Sequence, residues 1–507
     1  MAIIDMDEMR EADEHPVVWS SFQTDIFKEV ETSKRPLIIE AVAGSGKSTT
    51  IIAALELIPS TESSIFVAFN KSIADDLANK VPFHVEARTL HSMGYEILRN
   101  NYTYAKSNSK KVNNIMRFEV LDTKNNRQHW EWCTENGYQV QRFISSIRMG
   151  GCQSVELHEL EDWIDQGDYD IPTDRWSLQV IQQVVQACWK FDGEKGNCTI
   201  DFDDMIALPA YWDMKFPTYD NVFVDESQDL NKAQRMFIGK LLGSTGRLIA
   251  VGDTHQAIYG FRGADHNSMS HIRGAFGCKE LPLSICYRCD KAIVEKAKYF
   301  VPHIEAREGA GEGEVRYVDH GKHWDFYQSD DYILCRTNAP LVAEAMRLSI
   351  RGHNVCIMGR DLVRPLMKNV KVMCGIYNGS IDQRDIREWT EDQVAGLSER
   401  KQYKAYNMWD QAGVLCAICG STPMGEAAFK KTLEDIFTDK RPVVPHILLS
   451  TIHKSKGLEA DRVFILRPDL MPHPMAKGID ELKQEDNLHY VAITRAKHML
   501  TYLVDMG

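Results

Sequence analysis

A lysine followed by two hydroxyl residues, placed directly after a Gly-Ser-Gly turn, is the first constellation here with an evident chemistry. In Ile38-Ile39-Glu40-Ala41-Val42-Ala43-Gly44-Ser45-Gly46-Lys47-Ser48-Thr49 an apolar run enters a glycine-bearing turn and leaves as a helix. Such a turn cradles phosphates. Gly44 and Gly46 let the backbone N–H groups of residues Ala43 to Thr49 converge, and the helix adds its positive N-terminus. Lys47 bridges β and γ oxygens, and Ser48 can hold Mg²⁺. Ala41 stands where the first glycine of this pattern is usual. A second apolar run, Asn221-Val222-Phe223-Val224, ends in Asp225-Glu226-Ser227-Gln228-Asp229. Asp225 at the strand tip can bind the ion through water, and Glu226 beside the γ-phosphate can act as base for an attacking water. Adjacent surface carboxylates are usually just solvated charges. Few of them end a buried strand downstream of a phosphate loop. Together the two runs predict Mg²⁺-dependent nucleoside triphosphate hydrolysis.

Both constellations need strand ends delivered to one edge of a sheet, and the chain alternates short apolar runs with amphipathic helices as βαβ units do. The first α/β unit has expected strands Leu37–Ile39, Ile65–Ala68, Val222–Val224 and Leu248–Val251. A second unit, starting at Leu281, has expected strands Tyr332–Cys335, Asn354–Met358, Ile447–Ser450, Val463–Leu466 and Leu500–Leu503. A polar, tryptophan-bearing segment interrupts the first. Within it Leu178, Val180, Ile181, Val184, Val185, Cys188 and Trp189 recur at helical spacing. The expected fold is therefore α/β, two parallel-sheet domains each interrupted by a mainly helical insert. The boundaries fall at 1–98, 99–197 (first insert), 198–278, 279–365, 366–441 (second, short insert) and 442–507. The glycine-rich patch Glu308 to Glu314 reads as a surface turn.

Composition bounds the rest. Of 507 residues, 59 are Lys or Arg and 72 Asp or Glu, a formal charge of −13, with 44% hydrophobic residues, which excludes a disordered or collagen-like chain. No apolar run approaches the roughly 18 residues a membrane span needs, and the first residues are acidic where a signal peptide is basic, so a cytoplasmic protein without membrane contact is expected. The 12 cysteines are scattered, as reduced thiols are. The acidic balance disfavours indiscriminate coating of nucleic acid but leaves room for a basic groove.

A third cluster is more particular. Val251-Gly252-Asp253-Thr254-His255-Gln256-Ala257-Ile258-Tyr259-Gly260-Phe261-Arg262-Gly263-Ala264 resembles the third motif of the UvrD/Rep-like superfamily 1A DNA helicases, approximately GDxxQxIYxWRGA, with Phe261 in place of the usual tryptophan. Gln256 can hydrogen-bond the γ-phosphate or its attacking water. Tyr259 and Phe261 offer π-faces to unstacked bases, each worth roughly 1–3 kcal/mol, and Arg262 stands between the two sites.

Further motifs follow in that family's order, and the resemblance assigns their roles. Phe22-Gln23 matches its Q motif, in which Gln23 reads adenine and so implies ATP. Asn70-Lys71 and Thr89-Leu90-His91-Ser92 match its strand-contact motifs, with Phe69 one place off the usual phenylalanine. Asp201-Phe202-Asp203-Asp204 resembles its short acidic-aromatic motif. Cys286-Tyr287-Arg288-Cys289 resembles its Asn-Tyr-Arg motif, with Cys286 for asparagine; Tyr287 would stack on adenine and Arg288 contact the γ-phosphate. Thr451-Ile452-His453-Lys454-Ser455-Lys456-Gly457-Leu458-Glu459 matches motif V, whose Thr451 and His453 meet the strand and whose Glu459 meets the ribose. Tyr490-Val491-Ala492-Ile493-Thr494-Arg495-Ala496 matches motif VI, with Arg495 as second arginine finger.

The resemblance implies two RecA-like domains sharing one ATP and one Mg²⁺, and a 3′ to 5′ single-stranded DNA translocase and helicase able to act as a monomer. Its expected substrates are single-stranded and tailed duplex DNA, with partners among single-strand-binding, recombination or replication proteins. The second insert is far shorter than that of the bacterial repair helicases and nearer the F-box DNA helicase group, so duplex contacts made through it are not expected. The chain stops soon after its last expected strand, so no C-terminal nuclease extension is expected either. One rival reading keeps the same chemistry, a translocase that strips proteins from single strands with little unwinding; another is of a different class, a nucleotide-switched protein that clamps DNA without turning over. A small-molecule kinase explains Lys47 and Asp225 but leaves the Gln256 to Ala264 cluster without a purpose.

Three weaker signals read as structural. Cys286/Cys289 and Cys416/Cys419 imitate a four-thiolate zinc site, yet the first pair brackets residues that ATP needs and the second lies in an apolar helix. Trp130 and Trp132 read as packing of the first insert, and the acidic run Asp5 to Glu14 as a solvated terminus.

Overall fold

The computed structural model describes residues 18–68, 71–102, 105–153, 155–166, 169, 171–190, 198–258, 267–322, 327–397, 402–439 and 446–505. The chain builds two parallel sheets. The first has six strands: β1 (Leu37–Ala41), β2 (Ser64–Ala68), β3 (Val85–Thr89), β4 (Asn221–Val224), β5 (Arg247–Gly252) and β6 (Lys279–Leu283), in the order β3-β2-β4-β5-β1-β6. The second has seven: β7 (Glu314–Asp319), β8 (Tyr332–Cys335), β9 (Val355–Met358), β10 (Phe437–Thr438), β11 (Ile447–Thr451), β12 (Ala460–Leu466) and β13 (Ala496–Val504), in the order β7-β13-β12-β8-β11-β9-β10.

The central strands are apolar because helices cover both faces. β2, β4, β5 and β8 are buried at every residue. On the first sheet, Ile39, Phe66 and Val251 face one core with the helix Lys47–Leu55, while Ile38, Val67 and Val224 face another. Parallel strands all end on one edge, so Ala41, Val224, Gly252 and Thr89 deliver their loops to the same side.

One expected boundary shifts. Lys279–Leu283, assigned by sequence to the second unit, pairs with β1 in the first sheet, Leu37 against Lys279 and Ala41 against Leu283. Its solvent-facing lysine, glutamate and proline suit an edge strand and hid it from a search for apolar runs. The same holds for β3 and β7, outer strands with largely exposed or half-buried residues. Only the end of the Glu308 to Glu314 patch is strand: its turn leads into β7.

The inserts differ in attachment. The first packs the helices Arg127–Gly150, Leu157–Gln166 and Arg175–Trp189 around a core that also takes in Leu98, Met205 and Leu208 of the first unit, and the seven apolar residues singled out by spacing are all buried there. It is tied to the first unit through a buried ionic cluster. Arg148 donates to Asp201 at 2.8 and 2.9 Å and also to Asp204, and Lys111 pairs with Asp204 at 2.6 Å. The second insert shares one core with the second sheet: Leu366, Met373, Leu415 and Phe429 pack with Ile333, Leu341 and Leu449. Its chain re-enters the sheet as β10, which pairs with β9. Expected to run over 366–441, it thus begins with the helix Val363–Ile376 and contributes a strand. Trp132 packs edge-on against Trp176 and donates to Ser177 at 3.1 Å, as packing predicts, whereas Trp130 is half exposed.

Candidate active site

The phosphate loop forms where β1 stops. Gly44 (φ 67°) and Gly46 (φ 75°) take left-handed conformations that a side chain resists. Ala41 is the last residue of the strand and has no positive φ, so the glycine usual at that position is dispensable here. Lys47, Ser48 and Thr49 open the helix Lys47–Leu55, Ser48 and Thr49 with exposed side chains. The Ser45 hydroxyl is buried and has no hydrogen-bond partner among the described residues, as a group waiting for a ligand oxygen is. The Ala43 N–H behaves differently from expectation: it donates to Tyr490 Oη at 2.8 Å and so belongs to the contact between the units.

Ser48 and Asp225, the expected cation ligands, come together with Oγ and Oδ2 3.2 Å apart, the hard-oxygen type of ligand that Mg²⁺ takes. Burial, then the neighbouring Glu226, lifts the Asp225 carboxyl to about 6; a bound cation opposes both effects. Burial also acts to raise Glu226, but Lys47 and Lys456 outweigh it and hold the carboxylate ionised. For Lys47, burial is outweighed by Glu226, Asp253 and Asp225, so the ammonium is held above its ordinary pKa. Glu226 sits at φ 51° and ψ 38°, a conformation that costs a non-glycine residue about 1–2 kcal/mol and is imposed by its surroundings. Gln256 is buried and donates to Asp253 Oδ2 at 2.7 Å, at the end of β5 beside the two acids.

Gln23, the expected adenine reader, is buried. Its backbone and side chain form a capping box with Ser20, which starts the helix Ser21–Thr32. Its Nε2 donates to Thr50 Oγ1 at 2.9 Å, and its Oε1 accepts from Tyr287 Oη at 3.2 Å. Residues separated by the whole first unit therefore converge on one face.

The second unit packs against the phosphate loop. Tyr287 N donates to Gly44 O at 2.8 Å, and a Cβ on Gly44 would lie 2.6 Å from Arg288 Cβ. Val42, Ala43 and Ile258 sit in a core otherwise made by the second unit. Asn487 Nδ2 donates to Ala257 O at 3.0 Å. Arg288 makes an ion pair with Glu459 at 2.6 Å and donates to Thr494 O. Glu459 is shared with Lys497 at 3.0 Å, so here it anchors the arginine rather than standing free for a ribose. Arg495 is 1% exposed and donates to the Val491 and Leu458 carbonyls. No carboxylate among the described residues pairs with it; burial, then Arg288, brings its pKa down to about 10. A buried guanidinium without a counter-anion fits an anionic ligand.

The strand-contact residues are only partly described. Lys71 is exposed at the start of the helix Lys71–Ala78. Thr89 caps the helix Leu90–Asn101, accepting from Ser92 N at 3.2 Å. His91 lies against the exposed ring of Phe202, centroids 4.2 Å apart, and burial lowers its pKa to about 4. Thr451 and His453 lie at the end of β11 and in the turn after it. Asn70, Tyr259, Phe261 and Arg262 lie outside the described residues. No group of three His, Cys, Asp or Glu able to hold a metal occurs among the described residues, and both cysteine pairs are buried thiols. None of the described helices is long and apolar enough to cross a membrane.

Sequence reasoning gave no role to Tyr490, Asn487, Lys456 or Asp229. Tyr490 and Lys456 lay inside quoted motifs, but their spacing said nothing of which unit they would touch. Asn487 carried no signal at all.

Comparison with known proteins agrees with this arrangement. The family described as UvrD/REP helicase N-terminal domain matches residues 22–277, and that described as UvrD-like helicase C-terminal domain matches residues 424–504. F-box DNA helicase protein 1 of Schizosaccharomyces pombe is 24% identical over 92% of this chain and 55% of its own length. F-box DNA helicase 1 of Gallus gallus is 23% identical over 91% of this chain and 46% of its own. The ATP-dependent DNA helicase PcrA of Staphylococcus aureus strain MRSA252 is 27% identical over 94% of this chain and 82% of its own. The chain spans about half the length of the F-box relatives it matches. With the first family match alone covering just over half of its residues, the chain belongs to the UvrD/Rep helicase family.

Proposed function

We propose that the protein is an ATP-dependent DNA helicase that moves 3′ to 5′ along a single strand, using ATP bound between two RecA-like domains. The observation that carries this reading is the meeting of the two units at the phosphate loop, Tyr287 N on Gly44 O and Tyr490 Oη on Ala43 N, with Arg495 buried and unneutralised behind them. In it Lys47, the Gly44 to Thr49 backbone, Arg288 and Arg495 bind the triphosphate. Gln23 and Tyr287 hold the adenine, and Ser48 and Asp225 hold Mg²⁺. The ion, when bound, neutralises charge on the β and γ oxygens. Glu226 orients and deprotonates the attacking water, and Gln256 reports the γ-phosphate to the strand site. Opening and closing of the units then advances a strand lying over Lys71, Thr89, His91, Thr451, His453 and the 259–262 segment. Single-stranded and tailed duplex DNA are the substrates, a monomer suffices, and the location is cytoplasmic.

Strand displacement on 3′-tailed and 5′-tailed duplexes tests it: unwinding from the 3′ tail is expected, and unwinding only from the 5′ tail overturns the polarity. The fusion of the short second insert with the second core favours one variant reading, a translocase that clears proteins from single strands. Filament clearance with negligible unwinding would select it.

A further inference from the structure

One cation of the second unit reaches a part of the site that the two arginines do not. Lys456, in the turn after β11, crosses to the first unit, where its Nζ donates to Asp229 Oδ2 at 2.6 Å and to Gln256 O at 2.9 Å. It stands 3.8 Å from Glu226 Oε2. The contact is nearly dry, the Lys456 and Asp229 side chains being 10% and 4% exposed. Gln228 lies between this ion pair and the base. Its Nε2 donates to Glu226 Oε2 and reaches Asp229 Oδ2 at 3.5 Å, and its Oε1 accepts from Asp253 N at 3.0 Å.

These groups form one connected set that touches both units. Glu226 does not hold its left-handed backbone by local preference, so neighbours must fix where its carboxylate points. Gln228 is the neighbour that grips it, and Gln228 is in turn fixed by Asp229 and Asp253. When the units part, Lys456 leaves, and Asp229 loses its ion-pair partner, its Oδ1 already lacking a hydrogen-bond partner among the described residues. Its remaining donor is Gln228, and the geometry at Glu226 changes with it.

We propose that Lys456 is a positioning residue that signals closure of the units to the hydrolytic base, acting through Asp229 and Gln228 on Glu226. This rests on the reading of the cleft as an ATP hydrolysis site. It adds that hydrolysis is withheld until the second unit docks, by a contact separate from the arginine fingers.

The test is steady-state ATP hydrolysis by the full chain with saturating single-stranded DNA, alongside binding of a fluorescent ATP analogue and thermal unfolding. Lys456→Met is expected to lower kcat by roughly 10²-fold, the cost of a misplaced reacting group, with KM for ATP and analogue binding little changed. Asp229→Asn should do the same, and the double variant should be no slower than either single one, because residues acting as a unit are not additive. Lys456→Arg should recover part of the rate. If Lys456→Met does not fold, Asp229→Asn carries the same expectation. A rise in KM at unchanged kcat, or losses that multiply in the double variant, overturns the proposal. Wild-type chain without ATPase activity overturns the parent reading and this one with it; active wild type with unaffected variants overturns this one alone.

Discussion

The two sheets share a plan but bring opposite charges to the cleft. The first unit gathers Asp225, Glu226, Asp229 and Asp253 around a single Lys47, and the second presents Arg288, Arg495 and Lys456. The two halves act on Lys47 and Arg495 in opposite directions. Carboxylates hold Lys47 above its ordinary pKa, and burial lowers Arg495. The difference is that, Lys47 apart, the acids and the cations of the proposed site come from different units. Part of the imbalance is met directly, by Lys456 on Asp229; the buried Arg495, paired with no carboxylate among the described residues, suits an anionic ligand.

Removing charges from either side should have the largest effect. Arg495→Ala is expected to lower ATP turnover by roughly 10³ to 10⁵-fold, as loss of an arginine finger does, and Lys47→Ala to abolish it. Glu226→Gln should also stop hydrolysis but leave ATP binding largely intact. Initial-rate and equilibrium-binding measurements separate the three, and a Glu226→Gln chain that cannot bind ATP contradicts the assignment of roles.

The inserts sharpen the comparison on the stability side. Arg148 is 1% exposed and neutralises Asp201 and Asp204 beneath the first insert. Arg148→Met leaves those carboxylates buried, and breaking such a pair costs about 3–5 kcal/mol, read as a lower denaturant midpoint. No single ionic substitution in the second insert should match it, because that insert is joined to its sheet by apolar packing.

Contacts between the units that carry no charge should matter less. Gly44→Ala places a Cβ 2.6 Å from Arg288 Cβ at a φ of 67°. It is expected to hold the units apart and to cost roughly 10²-fold in turnover without unfolding the chain. Phe261→Ala should weaken strand binding by about 1–3 kcal/mol, one lost stacking contact, and spare basal hydrolysis. Collapse of basal hydrolysis would refute the stacking role. Last, Asn487→Ala removes two neutral hydrogen bonds, to the Thr254 and Ala257 carbonyls, each worth about 1 kcal/mol, seen as weaker ATP affinity.

What could be read from sequence followed burial. Tyr332–Cys335 is fully buried, so its apolar run marked the strand to the residue, whereas β3, β6 and β7 lie at sheet edges where polar residues break the pattern. The two halves of the site were legible for different reasons. Lys47, Asp225 and Glu226 follow from local chemistry at strand ends. Arg288 and Arg495 came from resemblance, since nothing in their own spacing says that they face another sheet. Arg148 carried no signal, because its partners lie more than fifty residues away and only the fold brings them together. Tyr490 is buried in the second unit's core, yet its hydroxyl reaches the phosphate loop of the other unit.

The most direct test of the shared nucleotide is ATP hydrolysis with and without single-stranded DNA, run in parallel on wild type and Arg495→Ala. The account predicts slow hydrolysis by the wild type alone, strong stimulation by the strand, and loss of both activities when the second unit's arginine is removed. Hydrolysis indifferent to the strand, or retained without Arg495, would contradict it.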